Sequence, residues 1–414
     1  MHRLTHRETP WIASDARYVY RDSGQQACQA ALTYSLVRRR MLDRIEDGMM
    51  RAIVEQDGRR VEILGKSVGA LASTVRRMDA LAQAIVNTEG RAFDFERRED
   101  GKLIRVEEGA LARYYPHLRS LVLAVVDHEL NLGRFRLPAY AQLFHDVAAY
   151  YMDRFPILHE CLAKLPTHFD TTSHQFSGEI ADGLFDLLRQ EARVRRTATE
   201  DVRRTFDANR RLRRMQRFTD DCFSRSRTLF VMQIECAYRP PERPEQTVTV
   251  SLDQAKGHHA TFVNRLRASA KFAAVAVGGI WSLGWGEYKG HHYRWTFLLD
   301  GQLVFDATDW AELVSEVWTG VVRDNAAYVR IPGVNDAPAA LTGLLRVDDV
   351  EPMKLLRDEL EYLAFSNNLI QLKEADGTRS WGTWVPANTR RDRCRKALKE
   401  VSGESGAERR DKAL

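Results

Sequence analysis

The stretch from Ala273 to Phe305, AAVAVGGIWSLGWGEYKGHHYRWTFLLDGQLVF, constrains the fold more than any other part of the chain. Two long apolar and aromatic runs are separated only by the four residues EYKG, and a second turn signal, Asp300-Gly301, closes the latter run. Such a pair is too closely linked for a parallel crossover, so adjacent antiparallel strands are predicted. A third run, TLFVMQIECAYR from Thr228, ends at the breaker series PPERPEQ and reads as a core strand entering a loop. Between them, Ser251 stands as an N-cap before a helix whose buried face is Ala255, Phe262, Val263 and Leu266. Further helices are expected over Trp310–Trp318 and Met353–Phe365. The C-terminal half is therefore an α+β domain.

The N-terminal half reads differently. From Val61, apolar residues recur at Leu64, Val68, Leu71, Val75, Met78, Leu81 and Ile85, which predicts one long amphipathic helix. Helices are also expected over Gln25–Glu55 and Leu137–Leu165, with Pro138, Pro156 and Pro166 as punctuation. Arginines crowd the stretch from Arg189 to Arg217 while its apolar stripe is thin, as in an exposed basic helix or linker. With 414 residues the chain exceeds one ordinary domain. The expected division is a helical region over 1–185, an arginine-rich helix or linker over 186–220, an α+β domain over 221–388 and a disordered polar tail over 389–414.

Charge and cysteine usage narrow the setting. The 62 basic residues exceed the 57 acidic ones by only five, so an electrostatic partner must be met by a local patch. Cys28, Cys161, Cys222, Cys236 and Cys394 form no C-x-x-C pair and fit neither a disulfide framework nor a zinc site. No stretch approaches the ~18 apolar residues of a membrane span, and the start has no signal-peptide core, so a cytoplasmic protein without membrane contact is expected.

The most informative segment is Gly290-His291-His292-Tyr293-Arg294-Trp295-Thr296-Phe297-Leu298-Leu299-Asp300-Gly301. It resembles the histidine strand of the prophage-encoded, filamentous-phage-type replication proteins of the YagK/YfjJ C-terminal family, in which glycine precedes a His-hydrophobic-His triplet and an apolar run ending in Asp-Gly. FVMQIECAYR, GGIWSLGWGEYKG, LEYLAF and TRSWGTW keep the same order, so the resemblance spans about residues 220–390. Such proteins are similar to the HUH endonucleases. That resemblance implies an antiparallel Rep-like sheet, a divalent cation (Mg²⁺ or Mn²⁺) held by imidazoles, and a helix-borne tyrosine that attacks a phosphodiester at a replication origin.

On this alignment His292 takes the first metal position, with Glu287 as a nearby carboxylate, and Tyr362 in EYLAF is the nucleophile. Three positions depart from the family pattern. Arg294 replaces the second histidine, and a guanidinium does not ligate metal but does bind phosphate. Gly284 stands where relatives carry glutamate, and Phe365 replaces a lysine. Arg203, Arg204, Arg210, Arg211, Arg213 and Arg214 are the candidate contacts to single-stranded or origin DNA. Two readings result: a replication initiator that nicks DNA, or a catalytically degenerate descendant that binds DNA as a regulator or replication accessory. His258 and His259 read as surface residues, and Trp281, Trp285, Trp295, Trp381 and Trp384 mostly as core or edge.

Overall fold

The computed structural model describes residues 12–20, 36–56, 59–64, 70–239, 250–287, 290–323, 327–330, 341–375 and 377–386. The expected tail over 389–414 and the PPERPEQ run lie outside the described residues. In chain order the first elements are β1 (Ile12–Tyr20), α1 (Leu36–Met50), the hairpin β2 (Arg51–Gln56) and β3 (Arg59–Leu64), and α2 (Leu71–Asn87). Next come β4 (Phe93–Arg97), β5 (Leu103–Glu108), α3 (Tyr115–Val126), β6 (Phe135–Arg136), α4 (Ala139–Arg154) and α5 (Leu158–Cys161). The short pair β7 (Phe169–Asp170) and β8 (Gln175–Phe176) leads into α6 (Ser177–Val194) and the long α7 (Thr197–Arg225). The remainder is β9 (Thr228–Tyr238), α8 (Leu252–Ala268), α9 (Ala270–Val275), β10 (Ala276–Gly286), β11 (Gly290–Asp300) and α10 (Thr308–Val322), then β12 (Ala327–Arg330), β13 (Gly343–Arg346), α11 (Val350–Leu369), β14 (Gln371–Leu372) and β15 (Trp381–Trp384).

These elements form two compact units. The first comprises residues 1–47, 66–207 and 368–373, the second 48–65, 208–367 and 374–414. In the first, α2, α4 and α6 pack together, and buried carboxylates tie loops to helices. Asp79 accepts from the Ala141 amide at 3.1 Å, and Asp182 accepts from Ala92 at 2.6 Å and Phe93 at 3.2 Å. A carboxylate in this setting satisfies amides that the interior would otherwise leave unpaired.

Two expectations for the N-terminal half are corrected by the structure. The predicted helix from Val61 starts only at Leu71, because Val61 and Leu64 belong to β3, paired antiparallel with β2. The pattern Val61, Leu64 satisfies a helical period and a strand equally, and the pairing of Val61 with Val54 decides it. Glu55 likewise lies in β2, so the helix expected over Gln25–Glu55 is Leu36–Met50 within the described residues. The first unit also holds a three-stranded sheet, β1-β5-β4, in which β1 and β5 run parallel. The half thus adds this small sheet to the helices that were expected to dominate it.

The second unit is built on a sheet of order β12-β9-β11-β10-β15, with β13 paired to the β12 side of β9. The predicted hairpin is present as β10 and β11, in register from Gly286↔Gly290 to Gly278↔Leu298, with a bulge before Ala276↔Leu299. Gly290 opens β11 at φ +60°, a left-handed backbone that glycine tolerates best. Ser251 caps α8 as expected, accepting from the Gln254 amide while the Gln254 side chain accepts from the Ser251 amide.

Strand alternation gives the sheet two unlike faces. Met232, Ile234 and Cys236 of β9, Trp295 and Phe297 of β11, and Trp384 of β15 point to α8, α9 and α10, forming an aromatic core with Phe262, Phe272 and Trp318. Val231 of β9, Ile280 of β10 and Leu298 of β11 point the other way, toward Met215, Phe218 and Cys222 of α7 and Leu356, Leu360 and Leu363 of α11. Because both faces are covered, each strand is an almost continuous apolar run. Trp295 and Trp384 are buried as anticipated.

His258 and His259 are corrected from surface to packed residues. The His259 ring stacks on Tyr293 at a centroid separation of 3.9 Å, and burial, with Arg379 adding to it, lowers its pKa to about 3. His258 Nδ1 meets the Tyr238 hydroxyl at 2.9 Å. Both lie on the turn of α8 that presses on the sheet, a placement that tertiary packing sets and local polarity does not reveal.

Candidate functional site

Six polar residues of the central strands share the second face. By alternation Gln233 and Glu235 of β9, Ser282 of β10, and His292, Arg294 and Thr296 of β11 all lie on the side of Leu298, and all but Arg294 are fully buried. Arg294 sits between Glu235 on one neighbouring strand and Ser282 on the other. Glu235 in turn pairs across β12 with Arg330, so arginine, glutamate and arginine alternate over three adjacent strands.

Helix α11 completes the cluster from above. Its Glu359, 4 % exposed, places Oε1 at 3.8 Å from Arg294 Nε. One turn later Tyr362 lies with its ring 5.5 Å from the Arg294 guanidinium carbon and hydrogen-bonds to it. Burial works against the Arg294 charge, but Glu359, Tyr362 and Glu235 outweigh it and hold its pKa above the ordinary arginine value. Arg294 is thus a permanent cation in the field of two carboxylates, the nearer 3.8 Å away, and against an aromatic face.

The two residues that the resemblance makes catalytic, Tyr362 and Arg294, are therefore brought together although 68 positions apart in the sequence. His292 shares their face one step along β11. Its Nδ1 meets the Gly290 carbonyl at 3.2 Å, and its ring covers Gly284, where a Cβ would come within 2.6 Å of Nε2. Gly284 is the cross-strand partner of His292, so the missing side chain makes room for the imidazole. His291 points to the opposite face, as alternation predicts, and its Nε2 meets Glu374 at 2.9 Å.

Glu287 is not part of the cluster. It lies past the end of β10, five residues beyond Ser282 or roughly 16 Å along the strand, and its amide donates to the Met49 carbonyl. His292 and Glu287 alone do not fit a divalent cation. The guanidinium of Arg294 takes the position of the second imidazole, and among the described residues no group of three or more His, Cys, Asp or Glu side chains surrounds a common point.

The arginines expected to meet nucleic acid divide by placement. In the first unit Arg203 pairs with Glu200 and Asp207, and Arg204 pairs with Glu200 and donates to the Leu137 carbonyl. In the second, Arg211 is half-buried and donates to the Ala364 carbonyl at 3.0 Å. Arg210, Arg213 and Arg214 are exposed, and Arg217 joins them one turn on. They occupy the side of α7 opposite Met215, Phe218 and Cys222, whose side chains enter the core.

Sequence reasoning missed Glu235 and Glu359. Glu235 is the one charge inside FVMQIECAY, and a lone charge in an apolar strand carries a signal of a buried pair that could have found it. Glu359 is one helical turn before Tyr362 and reads like any surface glutamate. Comparison with protein-family models, with curated proteins and with solved structures gives no match to this chain.

Proposed function

We propose that the second unit binds DNA through the exposed arginine face of α7, in the manner of a replication-initiator-like protein of a prophage or filamentous phage. The observation that carries this reading is the segregation on that helix. Arg210, Arg213, Arg214 and Arg217 stand in solvent on one side while the other side is anchored in the core. Guanidinium groups on a rigid, anchored helix release counterions from a phosphate backbone without first being ordered. On this reading the cluster of Glu235, Arg294 and Glu359 is structural, its cation already matched by carboxylates, and the protein is a DNA-binding regulator or replication accessory.

One observation favours a second reading, that the unit also nicks DNA. Tyr362, the residue aligned with the nucleophile, touches Arg294, the residue able to bind phosphate. Attack of the Tyr362 oxygen on phosphorus would form a phosphotyrosyl bond and release a 3′ hydroxyl.

The test is incubation of the purified chain with labelled single-stranded and supercoiled DNA, with and without Mg²⁺ or Mn²⁺, beside Tyr362→Phe and Arg213→Ala/Arg214→Ala variants. Salt-sensitive binding lost in the double arginine variant, with no nicks, supports the regulator reading. Nicks and covalent adducts that vanish in Tyr362→Phe support the nuclease. Binding of neither form of DNA sinks both.

A further inference from the structure

Within the second unit two groups crowd the Tyr362 hydroxyl. One is the Arg294 guanidinium, which hydrogen-bonds to it. The other is Gly48, where an added Cβ would lie 4.0 Å from the Tyr362 oxygen. Glycine is a poor helix former, yet Gly48 stands in the last turn of α1, and its bare Cα lets that turn lie over the tyrosine. Met49 then fastens the turn. It is 6 % exposed, and its carbonyl accepts from the Glu287 amide at 2.7 Å. Glu287 directly follows β10, the partner of the strand that carries Arg294. Beyond Met49 the chain enters β2 and β3, which among the described residues pair with each other and with no strand of the main sheet. The fastening is a hydrogen bond and an apolar side chain, so the turn can lift while the main sheet stays intact.

What the turn does follows from the room that attack requires. For the Tyr362 oxygen to attack a phosphodiester, phosphorus must approach to about 3–3.5 Å with its leaving oxygen in line. On the side of Gly48 the space beside the oxygen just admits one more carbon, and a phosphate with its oxygens is larger than that. Arg294 holds the same oxygen from the sheet. We infer that the Gly48–Met49 turn is a gate closed over the Tyr362 hydroxyl, latched by the Glu287 amide, and that it lifts before a DNA strand reaches the tyrosine. This inference rests on the nicking reading of Tyr362 and Arg294. It gives Glu287 a role through its backbone N–H, where the resemblance had assigned its carboxylate.

The test follows nitration of Tyr362 by tetranitromethane, read by peptide mapping of the full chain without DNA. Glu287→Pro removes the donor to the Met49 carbonyl, Met49→Ala removes the buried side chain of the turn, and Glu287→Ala keeps the amide. Nitration of Tyr362 is expected to rise about two- to tenfold in Glu287→Pro and in Met49→Ala, the shift in population that one lost hydrogen bond brings. It stays at the unaltered chain's rate in Glu287→Ala. Tyr238, 1 % exposed in the aromatic core, reports whether each variant is folded, and its nitration is unchanged. Nicking of single-stranded DNA, followed in parallel, rises with nitration of Tyr362. Equal Tyr362 rates in the unaltered chain and all variants overturn the gate, as does a rise that Tyr238 shares in both loosened variants. Nitration that rises at Tyr362 alone, with no DNA cut by any form, supports the gate and overturns the nicking reading.

Discussion

Arg294 and Tyr362 meet across the second face of the sheet, the guanidinium carbon 5.5 Å from the ring centre, with Glu359 one helical turn from the tyrosine and 3.8 Å from Arg294 Nε. Removing the cation alone strands two carboxylates in the interior. Arg294→Met is expected to cost about 3–5 kcal/mol, and Arg294→Met/Glu359→Leu to recover the part owed to Glu359 while Glu235 stays behind. Urea denaturation of the three proteins checks this, and a single-variant loss below about 1 kcal/mol would mean that the cluster is solvated.

Gly284 and His292 form a second coupled pair. A Cβ at position 284 would land 2.6 Å from the imidazole, so Gly284→Ala is expected to destabilise by about 1–3 kcal/mol through overpacking. Adding His292→Ala removes the clash. A double-mutant cycle in thermal unfolding should therefore show a clearly non-additive pair, and additivity would contradict the packing described.

Asp182 gives the first unit a pH dependence of unusual sign. Burial raises its pKa from 3.8 to about 6, against the pull of the Ala92 and Phe93 amides. The folded state thus holds the proton more tightly than the unfolded state. Its contribution is full below pH 3.8 and is lost as pH rises through about 6. Asp182→Asn should remove that descending limb from a stability-versus-pH profile of the chain.

His259 acts in the opposite direction. Its pKa falls from 6.5 to about 3, so its contribution is present above 6.5 and is lost as pH falls toward 3. Replacing it with phenylalanine keeps an aromatic ring over Tyr293 and takes away the titration. The acid limb of fluorescence-detected unfolding should flatten in His259→Phe, and an unchanged limb would assign it to other groups.

For the arginine face of α7, each arginine that neutralises a phosphate contributes about 0.9 to the slope of log binding constant against log salt on duplex DNA and about 0.7 on single strands. Arg213→Ala and Arg214→Ala are expected to lower that slope additively. Arg211→Ala, which removes a bond to the Ala364 carbonyl, should instead change stability and leave the slope alone. Equal slopes in all three would remove α7 from the DNA interface.

The sheet was legible because its signals are local. The run from Ala276 to Asp300 is rich in apolar and aromatic residues and broken by one short turn, and Ser251 announces its helix by a cap whose partner is three residues away. The Arg294–Tyr362 pairing was anticipated only through a family likeness, since nothing near either residue points to the other. Glu359 and His259 were unreadable for a common reason, whereas Glu235 stood out as the one charge in its apolar strand. A polar side chain declares itself as surface until the element that covers it is known, and the covering elements here, α8 and α11, arrive from distant sequence. Val61 and Leu64 failed for a different reason, two apolar residues three apart being compatible with either period.

The unlike faces of the sheet also bear on how it finds its pairing. A slip of one residue between β11 and its neighbours would turn Arg294 under the aromatic core and drive Trp295 among Glu235 and Glu359. Strands that are apolar on both sides would otherwise tolerate such a slip, and misregistered sheets would compete with the native one during folding. The largely buried guanidinium raises the free energy of such competitors, so the charge that contributes little to net stability acts as the alignment mark that favours a single arrangement.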